Sequence, residues 1–223
     1  MSVQQQKIIL FLISKIKPME THSREYTVSI RDFCKVCNID FDNGKNYINV
    51  KAAVKEVADK SIWITLENDR EVLLRWLDRV ILDKNSGEMT VRFNEDMLPF
   101  LIDLQERYTQ YRLDNILPMK SKYGIRLYEL LMSYVNMDLP LTLSIDELKK
   151  RMDCENYTRF PDFRRNALEK AIKDINYYTD LTVRYELKKE NSRGYNLITF
   201  WIFLAEGEKR VDRALRRANS LGM

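Results

Sequence analysis

The stretch KSKYGIRLYELLMSYVN, residues Lys120–Asn136, decides how the rest of the chain is divided. Tyr123, Leu127, Leu130, Leu131 and Tyr134 recur at helical spacing and predict one apolar face. Tyr128 and Val135 widen that face, so the helix is expected to pack on more than one side. It holds no proline, and its single glycine, Gly124, falls in the first turn. The N-terminal segment QKIILFLISKI, residues Gln6–Ile16, echoes it, with Ile8, Leu10, Phe11 and Ile13 where Ile125, Leu127, Tyr128 and Leu130 stand later. Each of these two helices opens the same series of elements. The chain reads as one module built twice.

In the first half, Pro18 and the polar run to Arg24 form a loop, and Tyr26–Val28 reads as a short strand. Ser29, with Asp32 three residues on, is an N-cap for a helix through Phe33–Val36. After a turn at Asp40–Lys45, Tyr47–Lys60 forms a second helix with Val50, Ala53, Val54 and Val57 inward. Ile62–Leu66 alternates as a strand. Val72–Leu82 and Met89–Phe93 read as two more, joined by a hairpin-turn composition at Asp83–Glu88. Met97–Leu104 is a short helix, and Tyr108–Leu117 leads to the boundary at Pro118.

The second half repeats the plan. Leu141–Leu143 is a strand, and Ser144 to Glu147 spells an S-x-x-E capping box for a helix ending at Met152. A turn at Asp153–Tyr157 precedes a helix from about Pro161 to Tyr178, with Leu168, Ala171, Ile172 and Ile175 inward. Leu181, Val183, Tyr185 and Leu187 alternate along a strand, Lys188–Gly194 turns the chain, and Tyr195–Leu204 returns it. Ser29 aligns with Ser144, Val54 with Ile172 and Ile64 with Val183, at an offset that drifts only from 115 to 119. The order helix, strand, helix, helix, strand, turn, strand is that of a helix-turn-helix followed by a β-hairpin. The expected fold class is therefore α+β, with two tandem winged-helix domains at 1–116 and 117–206 and a basic tail at 207–223. The competing reading is that two unrelated α+β halves share a pattern by chance.

An apolar share of 45% with 31% charged residues is ordinary for a globular chain of 223 residues. The charge is unevenly placed: residues 1–116 carry a net −1, and residues 117–223 a net +5. A basic second half suggests a polyanionic partner. The short apolar run Ile8–Ile13 is flanked by Lys7 and Lys15 and lacks a cleavage site, no run reaches membrane-spanning length, and three cysteines do not make a disulfide scaffold. A cytoplasmic protein without membrane partners is expected.

In a helix-turn-helix, the second helix enters the major groove and its first residues reach base edges. Here that helix is TRFPDFRRNALEKAIKD. Opposite its inward face stand Asn166, Lys170 and Lys173, with Arg164 and Arg165 in the first turn and Arg159 just before it. The planar fork of arginine suits guanine or phosphate, and asparagine can pair bidentately with adenine. The bland alternative is a solvated helix whose cations balance Asp162, Glu169 and Asp174. Lys188, Lys189 and Arg193 sit on the hairpin tip as a wing on phosphate, although a solvated turn would look the same. In the first half, Lys45, Asn46, Asn49, Lys51 and Lys55 flank or line the corresponding helix, where Glu56 and Asp59 dilute them. The run Lys209–Arg217 adds five cations.

Catalytic signals are few. His22 is the one histidine, so no paired-histidine metal site for a nicking tyrosine can be built, and no enzyme activity is expected. Gly44-Lys45-Asn46 lacks the earlier glycine and the Ser/Thr of a phosphate loop. Asp40 and Asp42 miss the register of a calcium loop. Cys34 and Cys37 form one C-x-x-C with no second pair and read as buried thiols on a helix, so neither metal nor cofactor is expected.

QQKIILFLISKIKP, SKYGIRLYELLMSY and FRRNALEKAIKDINYYTDLTVRYEL resemble the plasmid replication initiators that bind iterons through two winged-helix domains, over about Gln4–Leu204. The resemblance implies a first domain for dimerisation and secondary DNA contacts, for which the residues themselves offer Lys51 and Lys55. It implies a second domain that is the main reader of double-stranded origin DNA through Arg164, Arg165, Asn166 and Lys170. It also implies a homodimer that represses its own promoter, in equilibrium with a monomer that opens the origin, and a host initiator ATPase and replicative helicase as partners. A repressor without initiator activity is the alternative.

Overall fold

Three serines start the helices that frame the fold. Ser2 Oγ accepts from the Gln5 N–H at 3.2 Å while Gln5 Oε1 accepts from the Ser2 N–H at 3.0 Å, a reciprocal box that opens α1 (Val3–Ile13). Ser29 Oγ accepts from the Asp32 N–H at 3.3 Å ahead of α2 (Ile30–Cys37). Ser144 Oγ accepts from the Glu147 N–H at 3.1 Å ahead of a helix over Ile145–Arg151. The box expected at Ser144 closes on one side only. The Glu147 carboxylate turns to Arg151 Nη2 at 2.6 Å, since an i,i+4 guanidinium is a stronger partner than a neutral amide.

A computed structural model describes residues 1–16, 25–37, 39, 46–101, 113–135, 140–189 and 196–204. The chain divides into two units, Met1–Leu113 and Asp114–Met223. In the first, β1 (Glu25–Ser29) leads into α2, and α3 (Asn46–Ala58) follows. Then come β2 (Ser61–Thr65), β3 (Glu71–Arg75), β4 (Leu77–Asp83) and β5 (Glu88–Phe93). One antiparallel sheet has the order β1-β5-β4, and β2 and β3 form a separate two-stranded ribbon. Val50, Ala53, Val54 and Val57 are buried as their spacing predicts, and they share the core with Ile8, Phe11 and Phe33. The Phe11 and Phe33 rings lie 5.8 Å apart.

Two expectations are corrected here. The strand read at Val72–Leu82 is two strands broken at Trp76, the second of which joins the sheet. Ile64 is therefore not the counterpart of Val183. Among the described residues its strand pairs with β3 alone, and the strand in the equivalent sheet position is β4. The β2–β3 ribbon is an insertion in the winged-helix order, and alternation alone cannot say which strand a strand will pair with.

The division falls after the first residue of α4 (Leu113–Ile116), and the second unit continues through α5 (Lys122–Met132), β6 (Leu141–Ser144) and α6 (Ile145–Arg151). A helical rod in three registers follows: α7 (Phe160–Phe163), a π turn (Arg164–Leu168) and α8 (Glu169–Tyr178). Strands β7 (Leu181–Lys188) and β8 (Leu197–Leu204) complete a sheet of order β6-β8-β7, the same plan as β1-β5-β4. Helix α5 is shorter than expected and its buried stripe is turned, comprising Gly124, Ile125, Leu127, Tyr128, Leu131 and Met132. Tyr123, Leu130 and Tyr134 are only half-buried. Two contacts rotate it. Tyr128 OH donates to Asp180 Oδ1 at 3.0 Å and accepts from the buried Asn115 Nδ2 at 2.7 Å. On the other edge, a Cβ at Gly124 would stand 3.3 Å from Asp174 Cβ, so glycine lets α5 approach α8 closely.

Candidate nucleic-acid interface

The rod α7–π–α8 is anchored by one buried stripe, namely Phe163, Ala167, Leu168, Ala171 and Ile175. Ile172, expected inward, is half-buried. Pro161 sits at the helix start, where its missing N–H costs nothing. Asp174 Oδ2 accepts from the backbone N–H groups of Lys120 at 2.9 Å and Ser121 at 2.8 Å, so it holds the backbone just ahead of α5, whose N-cap is Ser121.

Arg159, Arg164, Arg165, Lys170 and Lys173 are all exposed. Asp162 faces Arg165 at 3.4 Å and Arg159 at 3.9 Å, loose pairs of the kind that surface screening makes weak. Lys170 and Lys173 have no ion pair among the described residues. Asn166 departs from the expectation, since it is half-buried rather than opposite the core. The cause is the π turn, which adds a residue to one turn and breaks the 100° per residue phase of an α-helix.

The π turn also creates a contact that α-helical spacing does not predict. Arg164 Nε donates to Glu169 Oε1 at 2.8 Å and to Tyr185 OH, on β7, at 3.1 Å. Residues five apart lie about 140° apart around an α-helix, whereas an i→i+5 turn stacks them. The Glu169 N–H does donate to the Arg164 carbonyl. Tyr185, and then Glu169, raise the Arg164 pKa further, so this guanidinium stays charged at any working pH. Tyr185 belongs to the alternating set Leu181, Val183, Tyr185 and Leu187 of the strand, and its ring packs on Phe200 at 6.4 Å. Its hydroxyl role carried no signal in the sequence, because the partner lies 21 residues away.

Lys188 and Lys189 are exposed at the end of β7, while Arg193, His22 and the tail 207–223 lie outside the described residues. In the first unit, Lys51 and Lys55 are exposed on α3, and Lys55 pairs with Asp59 one turn on. Cys34, Cys37 and Cys154 are buried free thiols. Burial pushes Cys34 up to about 11 and Cys154 to about 12, and Cys37 higher still, which leaves them protonated. Among the described residues, no three or more His, Cys, Asp or Glu side chains gather as a metal site. No helix of the described residues is long and apolar enough to cross a membrane.

Two family models cover this arrangement. "Initiator Replication protein, WH1" matches residues 1–132 and "Initiator Rep protein, WH2" matches residues 144–203. The chain belongs to the replication initiator protein family. It is 25% identical over 167 residues to the PI protein of Escherichia coli, across 67% of this chain and 55% of that protein. It thus spans about half the length of this curated relative. The fold is similar to the crystal structure of Pi initiator protein in complex with iteron DNA, with a TM-score of 0.71 and 20% identity over 92% of this chain and 90% of that one. Domains 2 and 3 of RctB are similar at a TM-score of 0.57 and 12% identity, over 93% and 84%. Each unit of the chain is a winged helix, with the rod α7–π–α8 as the second helix of the second helix-turn-helix.

Proposed function

We propose that this chain is a plasmid replication initiator that binds tandem origin repeats and starts replication without catalysing a reaction. The observation that carries the reading is the set of exposed cations on the rod α7–π–α8, Arg164, Arg165, Lys170 and Lys173, mounted on a buried stripe inside a family of replication initiators. Arg164, Arg165 and Lys170 read base edges, and Lys173, Lys188 and Lys189 meet phosphate. Arg159, Lys51 and Lys55 add phosphate contacts. Asn166 makes at most an edge contact, because it is half-buried. The similar Pi initiator was crystallised with iteron DNA, which favours repeated duplex sites as the ligand.

The first unit supports self-association. Trp63 and Leu73 stand directly opposite each other on the β2–β3 ribbon, 63% and 49% exposed, an apolar pair that a second copy would cover. The dimer represses the initiator's own promoter and the monomer opens the origin. Work in the cytoplasm with a host initiator ATPase and replicative helicase completes the reading. Footprinting on the DNA flanking the coding sequence tests it. Protection of several direct repeats, with plasmid maintenance lost when they are deleted, is expected. Protection of a lone inverted repeat would leave a repressor only, and metal-dependent nicking of supercoiled DNA would overturn the non-catalytic reading.

A further inference from the structure

Among the described residues, Arg164 is the one cation of the rod whose guanidinium is held from two elements at once. Glu169 Oε1 lies 2.8 Å from Nε, Tyr185 OH lies 3.1 Å from Nε, and Tyr185 OH and Glu169 Oε1 are 3.5 Å apart, which closes a triangle. Both contacts use Nε. Among the described residues, no contact engages Nη1 or Nη2, whose N–H groups form the fork that matches the O6 and N7 acceptors of guanine. An unrestrained arginine loses rotamer freedom on binding, so a fork fixed beforehand loses less. The Tyr185 ring is seated on Phe200, so its hydroxyl is a fixed post on the wing strand.

We propose that Tyr185 and Glu169 are positioning residues for DNA sequence reading: the π turn and the wing strand together lock Arg164 by Nε and present its terminal fork to a guanine edge. This rests on the DNA-reading function proposed above and adds to it two residues that do not touch DNA. The plain alternative is a surface ion pair in which Glu169 only dilutes the positive face. The two differ in sign. A diluting carboxylate weakens cognate and random DNA alike, whereas a positioning one supports the preference between them.

The test uses the full chain and two probes, the duplex that wild-type protein enriches from a randomised pool and an unselected random duplex. Arg164→Ala and Arg164→Lys should each lower the enriched-to-random ratio about tenfold or more, the lysine because it keeps charge but not the fork. Tyr185→Phe, which keeps the ring on Phe200, should lower the ratio about threefold or more with random-duplex affinity, salt slope and melting temperature unchanged. In the Arg164→Ala background it should do nothing further. Glu169→Gln should raise random-duplex affinity while lowering the ratio. Glu169→Gln that raises both affinities equally, or Tyr185→Phe that leaves the ratio unchanged, overturns the positioning role while DNA reading stands. Wild-type protein that enriches no sequence overturns DNA reading itself and the positioning role with it.

Discussion

The two winged helices share their frame to the level of single hydrogen bonds and differ in what is mounted on it. Thr27 and Thr90 pair their hydroxyls across β1–β5 at 3.1 Å, and Thr142 and Thr199 do so across β6–β8 at 3.0 Å. The Ile30 N–H donates to the Gly87 carbonyl at 2.9 Å, and the Ile145 N–H to the Asn196 carbonyl at 2.8 Å, so each helix after the first strand is tied to the start of the last strand. The tie between helix and wing is where they part. In the first unit, Tyr47 OH donates to the Lys84 carbonyl at 3.2 Å, and the Lys84 ammonium sits 5.5 Å over the Tyr47 ring, which occupies a cation internally. In the second, the tyrosine is on the strand and the cation on the helix, and the contacts of Arg164 among the described residues use Nε. The joint between helix and wing thus has a tyrosine and a cation in both units, with the two exchanged between helix and wing.

The comparison breaks most visibly at the core. Phe163 is buried between Tyr157 and Phe160, so Phe163→Ala should cost about 3–5 kcal/mol of the second unit's stability, read by denaturant melts, and collapse DNA binding. Should binding persist, the rod is not the reader. Trp63→Ser with Leu73→Ser should weaken self-association by about 2 kcal/mol or more in sedimentation equilibrium while leaving the monomer's DNA affinity intact. An unchanged association constant would place the interface elsewhere. Arg165→Ala with Lys170→Ala should lower affinity for enriched duplex about tenfold or more, and Lys51→Ala with Lys55→Ala no more than a few-fold. Equal losses would make the two units equal DNA binders.

Ser29→Ala and Ser144→Ala should each cost about 1 kcal/mol, because each removes one helix cap in the same position of the frame. A cost at one serine alone would show that the frame is shared in geometry but not in energy. The smallest effect concerns the first wing. Asp83 Oδ1 accepts from the backbone N–H of Asn85 at 2.8 Å and of Ser86 at 3.4 Å, and these bonds hold its carboxyl below the usual range. With the folded pKa depressed, its contribution is complete above the unfolded carboxylate pKa and is lost as pH falls through the folded one. The melting-temperature gap between wild type and Asp83→Asn should therefore narrow on acidification. A gap independent of pH would show that the turn rests on Gly87, at φ 71°, rather than on the carboxylate.

What the sequence alone determined depends on neighbours within a few residues. Ser29 and Ser144 cap because an N-cap oxygen reaches only the next turn's N–H. The α3 stripe is legible because a buried helix face repeats every three to four residues. The DKNSGE turn is legible because Asp83 and Gly87 supply the bonds and the positive φ that a hairpin needs. The exposed cations of the rod were likewise visible in order. Tertiary structure alone decided the rest. Alternation in Ile62–Leu66 gave a strand, but its exclusion from the sheet depended on β4 taking the place beside β5, a choice between partners of equal local quality. The α5 stripe turned because Asp180 and Asn115 bind the Tyr128 hydroxyl and because α8 sits against Gly124. The π turn that half-buries Asn166 and joins Arg164 to Glu169 fits no α-helical period, so it becomes visible only once β7 has brought the Tyr185 hydroxyl to within 3.1 Å of Arg164.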